Sequence, residues 1–169
     1  MLRAIVRYGV PGLGAKAAPV HTLDADLDRL IDDMVETMYA APGVGLAAPQ
    51  IGVPLRVAVI DLSVGKKGGD LVTLINPEFV ERAGMQLEEE GCLSLPGFVA
   101  TVARPSRVVV RAMDRTGRER IVEGTGLLAR ALQHELDHLN GVLFVDRLRG
   151  IRRDLIVRKI RRLSRAGKW

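Results

Sequence analysis

Only one cysteine, Cys92, occurs in the 169 residues, so no disulfide can close within the chain. That usage fits a reducing compartment, and a cytoplasmic location is expected. No uninterrupted apolar run is long enough to span a bilayer, so no membrane partner is expected. The opening stretch MLRAIVRYGVPG is broken by Arg3, Arg7 and Pro11 and lacks the apolar core of a secretory signal. Repeats and low-complexity linkers are also missing. With 47% hydrophobic residues to build a core, positions 1–169 are expected to form a single domain.

Acid is scarce in one place. Residues 147–169 hold ten Lys/Arg against one acid, Asp154, for a net +9, while the rest of the chain stands at −4. A segment so basic attracts polyanions such as RNA, or an acidic membrane surface. Leu148, Ile151, Leu155, Ile160 and Leu163 are read as one face of a helix in this tail.

The remaining patterns predict few helices and short, adjacent strands. In TLDADLDRLIDDMVETMYAAPG, Leu27, Leu30, Ile31, Met34 and Met38 recur at helical spacing, with Thr22 or Asp24 as cap and Pro42 beyond the end. LRVAVIDL and LVTLINP read as strands. SRVVVRAM and RERIVEG read as a hairpin turning at Asp114–Gly117. LLARALQHELDHLNG reads as a second helix stopped by Gly141. The mixture argues for an α+β fold rather than a wound parallel sheet.

His134 and His138 are two of only three histidines. Four residues apart on a helix, their rings stack about 6 Å apart along the axis and can face one ion. Glu135 is offset by about 100° and can flank that ion, where a general base belongs. A solvated helix face is the bland alternative, but Leu132, Leu136 and Leu139 make this helix apolar. Leu127, Ala131, His134 and His138 share one side, which describes a ligand pair continuing into a small apolar pocket.

A hydrolytic metal site needs a third protein ligand and an open position. The longer histidine pattern of some metallopeptidases fails here, because the third position is Phe144, and no Glu follows Glu135. Cys92, His21, Asp146 and Asp154 remain as candidates. Cys92 lies in EEEGCLSLPG, a turn-rich segment. Three carboxylates upstream disfavour a free thiolate unless a divalent cation is present. A thiol enzyme with Cys92 attacking and His134 as base is the rival reading, and it leaves Glu135 and His138 without roles. In APGVGLAAPQIG, Gly43 and Gly45 allow close approach of backbone to a ligand. Gly43, Gly45 and Ala47 suggest a small-residue wall, and Gln50 offers an amide donor for a developing oxyanion.

Taken together, GVGLAAPQ, EGCLS and QHELDH resemble, in order and spacing, the three signature motifs of the peptide deformylases. The resemblance runs from about Val6 to Arg147. It implies an α+β fold with antiparallel or mixed strands around a central H-E-x-x-H helix, flanked by N-terminal and C-terminal helices. It implies removal of the formyl group from the N-terminal formylmethionine of new polypeptides. Cys92, His134 and His138 would hold the metal, Fe²⁺ in the cell, with Ni²⁺, Co²⁺ or Zn²⁺ as substitutes. Glu135 would be the general base and then acid, while Gln50 and the Leu93 N–H would bind the oxyanion. Val44 and Gly45 would pair with the substrate backbone, and Leu127 and Ala131 would line the methionine pocket. Glu88 stands where some members place an apolar residue near the methionine pocket, and Val99 where some place an arginine near the outer substrate sites. Formylated nascent chains are the expected partners, with ribosome association through the basic helix, and a monomer is expected. The alternatives are another metal-dependent amidase or peptidase, and a structural metal module with an RNA-binding tail.

Overall fold

The computed structural model describes Met1–Trp169 and contains seven strands and three α-helices. Helix α1 spans Ala25–Ala40. Asp24 caps it by accepting from the Leu27 N–H at 2.9 Å, which settles the choice between Thr22 and Asp24. Its apolar stripe, Leu27, Leu30, Ile31, Met34 and Met38, is buried as the spacing predicts.

Strands β1 (Gly45–Ala47), β2 (Val57–Ile60), β3 (Val72–Ala83), β6 (Arg107–Met113) and β7 (Glu119–Thr125) form an antiparallel sheet in the order β1-β2-β3-β6-β7. Two helices cover opposite faces, and the two-residue period of the strands sorts side chains between them. Leu46, Val57, Val59 and Ile75 join the α1 core. Ala47, Ala58, Ile60 and Leu74 join the core under helix α2 (Gly126–Leu139). Strand β3 runs longer than the LVTLINP segment. It passes through Pro77 by shifting register between Ile75 and Glu78, which a proline without an N–H requires. Asn76, at φ 50°, caps both backbone groups of Val20 at 2.8 Å. The β6–β7 hairpin turns at Asp114–Gly117 as predicted, with the Gly117 N–H bonded to the Asp114 carbonyl.

Strands β4 (Gln86–Gly91) and β5 (Val99–Arg104) form a separate two-stranded ribbon. A third core beneath it joins Leu95, Val102, Phe144 and Leu148 to Ile160 of helix α3 (Ile151–Arg165). The predicted face of α3 needs correction. Val157 and Ile160 are buried in the helix, while Ile151 and Leu155 are 68% and 56% exposed. Ile151 and Ile160 are nine residues apart, half a turn out of phase, so they cannot share a face.

Candidate active site and metal centre

Helix α2 carries the histidine pair and the turn after β4 carries Cys92. The Cys92 Sγ lies 3.3 Å from His138 Nε2, and the two histidine Nε2 atoms are 3.1 Å apart. All three donor atoms fall within 4.8 Å of one another. With metal–nitrogen bonds near 2.05 Å and metal–sulfur bonds near 2.3 Å, a tetrahedral site has ligand–ligand edges of about 3.3–3.6 Å. Two of the three separations therefore stand close to those an ion needs, and a thiol with two imidazoles suits a borderline divalent metal. The other sequence candidates are elsewhere. Asp146 accepts from the Leu143 N–H at 2.9 Å and pairs with Arg153. His21 borders a separate, smaller pocket. Asp154 is exposed on α3, away from the cleft.

The sequence reading missed Glu90. Its carboxylate bonds His134 Nδ1 at 3.0 Å, Arg104 at 2.6 and 2.8 Å and Arg130 at 3.0 Å. Arg104 continues to Asp137 at 2.9 Å, and Arg147 meets Asp137 at 2.6 Å. Glu90, Arg104 and Asp137 are 6%, 3% and 6% exposed. Buried charges are tolerated when each has such partners. The triple acid upstream of Cys92 thus divides: Glu88 and Glu89 stay exposed, while Glu90 turns inward and orients a histidine. Burial opposes ionisation of Glu90, but hydrogen bonds from His134 and Arg104 hold it well below the usual carboxylate range. Burial likewise opposes charge on His134, yet hydrogen bonds to Cys92 and Glu90 raise it well above its ordinary value. His138 is pushed well below by burial and by the charge on its neighbour His134. Its Nδ1 is buried without a partner.

A cleft of about 830 Å³ opens over these residues. Val44, Gly45, Gln50, Cys92, Leu93, Leu127, Ala131, His134 and Glu135 all line it, with His138 buried behind them. Val99 lines the cleft as well, but Glu89 rather than Glu88 does so. The small-residue wall also needs correction. Gly43 and Gly45 line the cleft, but Ala47, two residues beyond Gly45 and so on the same side of β1, is buried in the core under α2 instead. Gly45 serves a further end. A β-carbon there would sit 2.5 Å from the Glu135 Oε1, so glycine makes the space for that carboxylate.

Glu135 is 3% exposed, and its Oε2 has no hydrogen-bond partner. Burial pushes its carboxyl up to about 7, suited to taking and returning a proton near neutrality. Gln50 is fixed by accepting from the Ala47 N–H at 3.0 Å, and its amide donates to the Ser94 hydroxyl at 3.2 Å. The Leu93 N–H makes no hydrogen bond within the chain. The Val44 carbonyl already accepts from the Asp61 N–H at 2.8 Å, so alternation turns the polar groups of Gly45 to the open edge of β1.

A convergent thiol and two imidazoles, beside a buried carboxylate without a partner, define the class of metal-assisted hydrolases. A family model described as polypeptide deformylase matches residues 2–154. The peptide deformylase of Acidobacterium capsulatum is 50% identical over 169 residues, covering 100% of this chain and 99% of the relative. The crystal structure of a peptide deformylase from Legionella pneumophila is similar at a TM-score of 0.92 and 47% identity, covering 99% of this chain and 98% of that one. A peptide deformylase from Synechococcus elongatus, solved in complex with actinonin, gives 0.86 at 41% identity, with 96% and 86% covered. The chain belongs to the polypeptide deformylase family, whose members are metal-dependent hydrolases, and it has their α+β fold.

Proposed function

We propose that the chain removes the formyl group from the N-terminal formylmethionine of newly made polypeptides, with Cys92, His134 and His138 holding the metal. One observation carries this reading: the unpartnered, buried carboxylate oxygen of Glu135 lies in the same cleft as the three convergent donors. When bound, the ion lowers the pKa of a water from about 15.7 towards 7 and polarises the formyl carbonyl.

The chain's own residues do the rest. Gly45 offers its N–H and C=O to an extended substrate that adds a strand beside β1, with Val44 shaping the same edge. Leu127 and Ala131 receive the methionine side chain beside His134. The Gln50 amide and the Leu93 N–H donate to the carbonyl oxygen as it gains charge. Glu135 accepts the proton of the attacking water. The carbon–nitrogen bond then breaks, formate leaves, and Glu135 returns the proton to the amine of the new methionine terminus. Glu90 keeps His134 in one orientation and tautomer.

The test is formate release from a formyl-Met dipeptide against its acetyl-Met counterpart. Turnover of the formyl substrate alone is expected, and equal turnover would favour a broader amidase. Cys92→Ser should lose the metal or bind it far more weakly, since a hydroxyl replaces a thiolate poorly. Full wild-type activity in excess chelator would overturn the metal reading.

We further propose Fe²⁺ as the cellular ion, with Ni²⁺, Co²⁺ and Zn²⁺ able to replace it. A monomer acting as one domain in the cytoplasm is part of the same reading. No helix is long and apolar enough to cross a membrane. Arg152, Arg158, Lys159, Arg161, Arg162 and Arg165 are all exposed on α3. That surface suits ribosomal RNA, where formylated chains emerge.

A further inference from the structure

One wall of the cleft is the turn from Cys92 to Phe98, and Trp169 holds it directly at Phe98 and indirectly through Tyr8. The indole meets the Phe98 ring edge to face, with centroids 5.7 Å apart and planes at 71°. Its Nε1–H donates to the Tyr8 carbonyl at 2.8 Å. Tyr8 in turn donates its N–H to the Ser94 carbonyl at 2.9 Å. Arg7, another cleft residue, lies over the indole at 5.6 Å, and the Lys159 ammonium of α3 lies 5.6 Å from the Phe98 ring centroid. Trp169 itself does not line the cleft.

Burial grades along this turn. Ser94 and Leu95 are buried, whereas Pro96 and Gly97 are exposed and Phe98 is half-buried. Gln50 holds the inner end through the Ser94 hydroxyl. Phe98 therefore stands towards the mouth, where residues following the methionine leave the cleft. We propose that Trp169 is a positioning residue for longer substrates, setting the outer wall through Phe98; this rests on the deformylase reading above. A peptide reaching only one residue past methionine does not extend to that wall. A longer peptide with an apolar side chain does, and it meets a ring whose position depends on the indole.

The experiment compares formate release from formyl-Met-Ala and formyl-Met-Ala-Phe-Ala. In Trp169→Ala, kcat/KM for the longer substrate should fall about 3- to 10-fold relative to the shorter, the scale of one aromatic pair, with the change in KM. Trp169→Phe keeps a ring against Phe98 and should restore the ratio. Trp169 is the only tryptophan, so its emission in the wild type should shift on titration with Met-Ala-Phe-Ala and much less with Met-Ala. An equal loss on both substrates, no loss on either, or no rescue by phenylalanine would overturn the proposal. A wild type that releases no formate from either substrate removes the deformylase reading itself. A wild type that releases formate while Trp169→Ala leaves the ratio intact removes this inference alone.

Discussion

Helices α2 and α3 are nearly equal in length, 14 and 15 residues, and both are amphipathic, yet they treat charge in opposite ways. Helix α2 buries Arg130, Glu135 and Asp137 together with His138. Arg130 and Asp137 find ionic partners, and Glu135 keeps one oxygen free. Helix α3 turns its basic residues outward and buries only Val157 and Ile160. Charge in solvent costs little and stabilises little. Charge in a core must be matched, so an unmatched one marks the place where the fold has been shaped for chemistry.

Substitutions should separate the two helices sharply. The largest effect is expected from Glu135→Ala, which removes the carboxylate whose buried oxygen has no partner. Turnover should fall by about 10² to 10⁴ or more, with metal content and melting temperature close to wild type. Loss of the metal from a folded Glu135→Ala protein would reassign Glu135 as a ligand. Next comes Glu90→Gln, which halves the matching on α2. Breaking a buried ion pair costs about 3–5 kcal/mol, and losing the partner of a ligating histidine weakens metal affinity about 10- to 100-fold. Thermal melting and competitive metal titration read both. Unaltered metal affinity would confine Glu90 to stability. The smallest intrinsic effect belongs to α3. Arg161→Glu with Arg165→Glu should change stability by no more than about 0.5 kcal/mol and leave dipeptide turnover intact. Ribosome binding should weaken and lose part of its salt dependence. Binding unchanged by the double reversal would leave α3 as a cover for the third core.

The sequence showed α2 most clearly, because helical periodicity is local: His134, Glu135, His138, Leu127 and Ala131 all fall within four turns. The Asp114–Gly117 turn was legible for the same reason, as was the α1 cap to within Thr22 or Asp24. The ribbon was not. Its first strand, QLEEEG, overlaps the segment read as turn-rich, and nothing local marks Glu90 as buried until Arg104 and Arg130, 14 and 40 residues away, come to it. Trp169 escaped notice because its partners lie 71 and 161 residues back along the chain. The face of α3 was misread from spacing alone, since five apolar residues over sixteen positions leave more than one phase open.

The ribbon's isolation has a mechanical consequence. Strands β4 and β5 hydrogen-bond to each other and not to the five-stranded sheet. Cys92 follows the ribbon, whereas His134 and His138 belong to the helix lying on that sheet. A ligand shared by the three residues rivets the seam between two separately bonded units, adding its binding free energy to the closure of that seam. The hinge of first opening is then predictable. In protein stripped with chelator, the amide hydrogens of β4 and β5 should exchange with deuterium sooner than those of β2 and β3, and restoring the ion should slow the ribbon while leaving the central strands as they were.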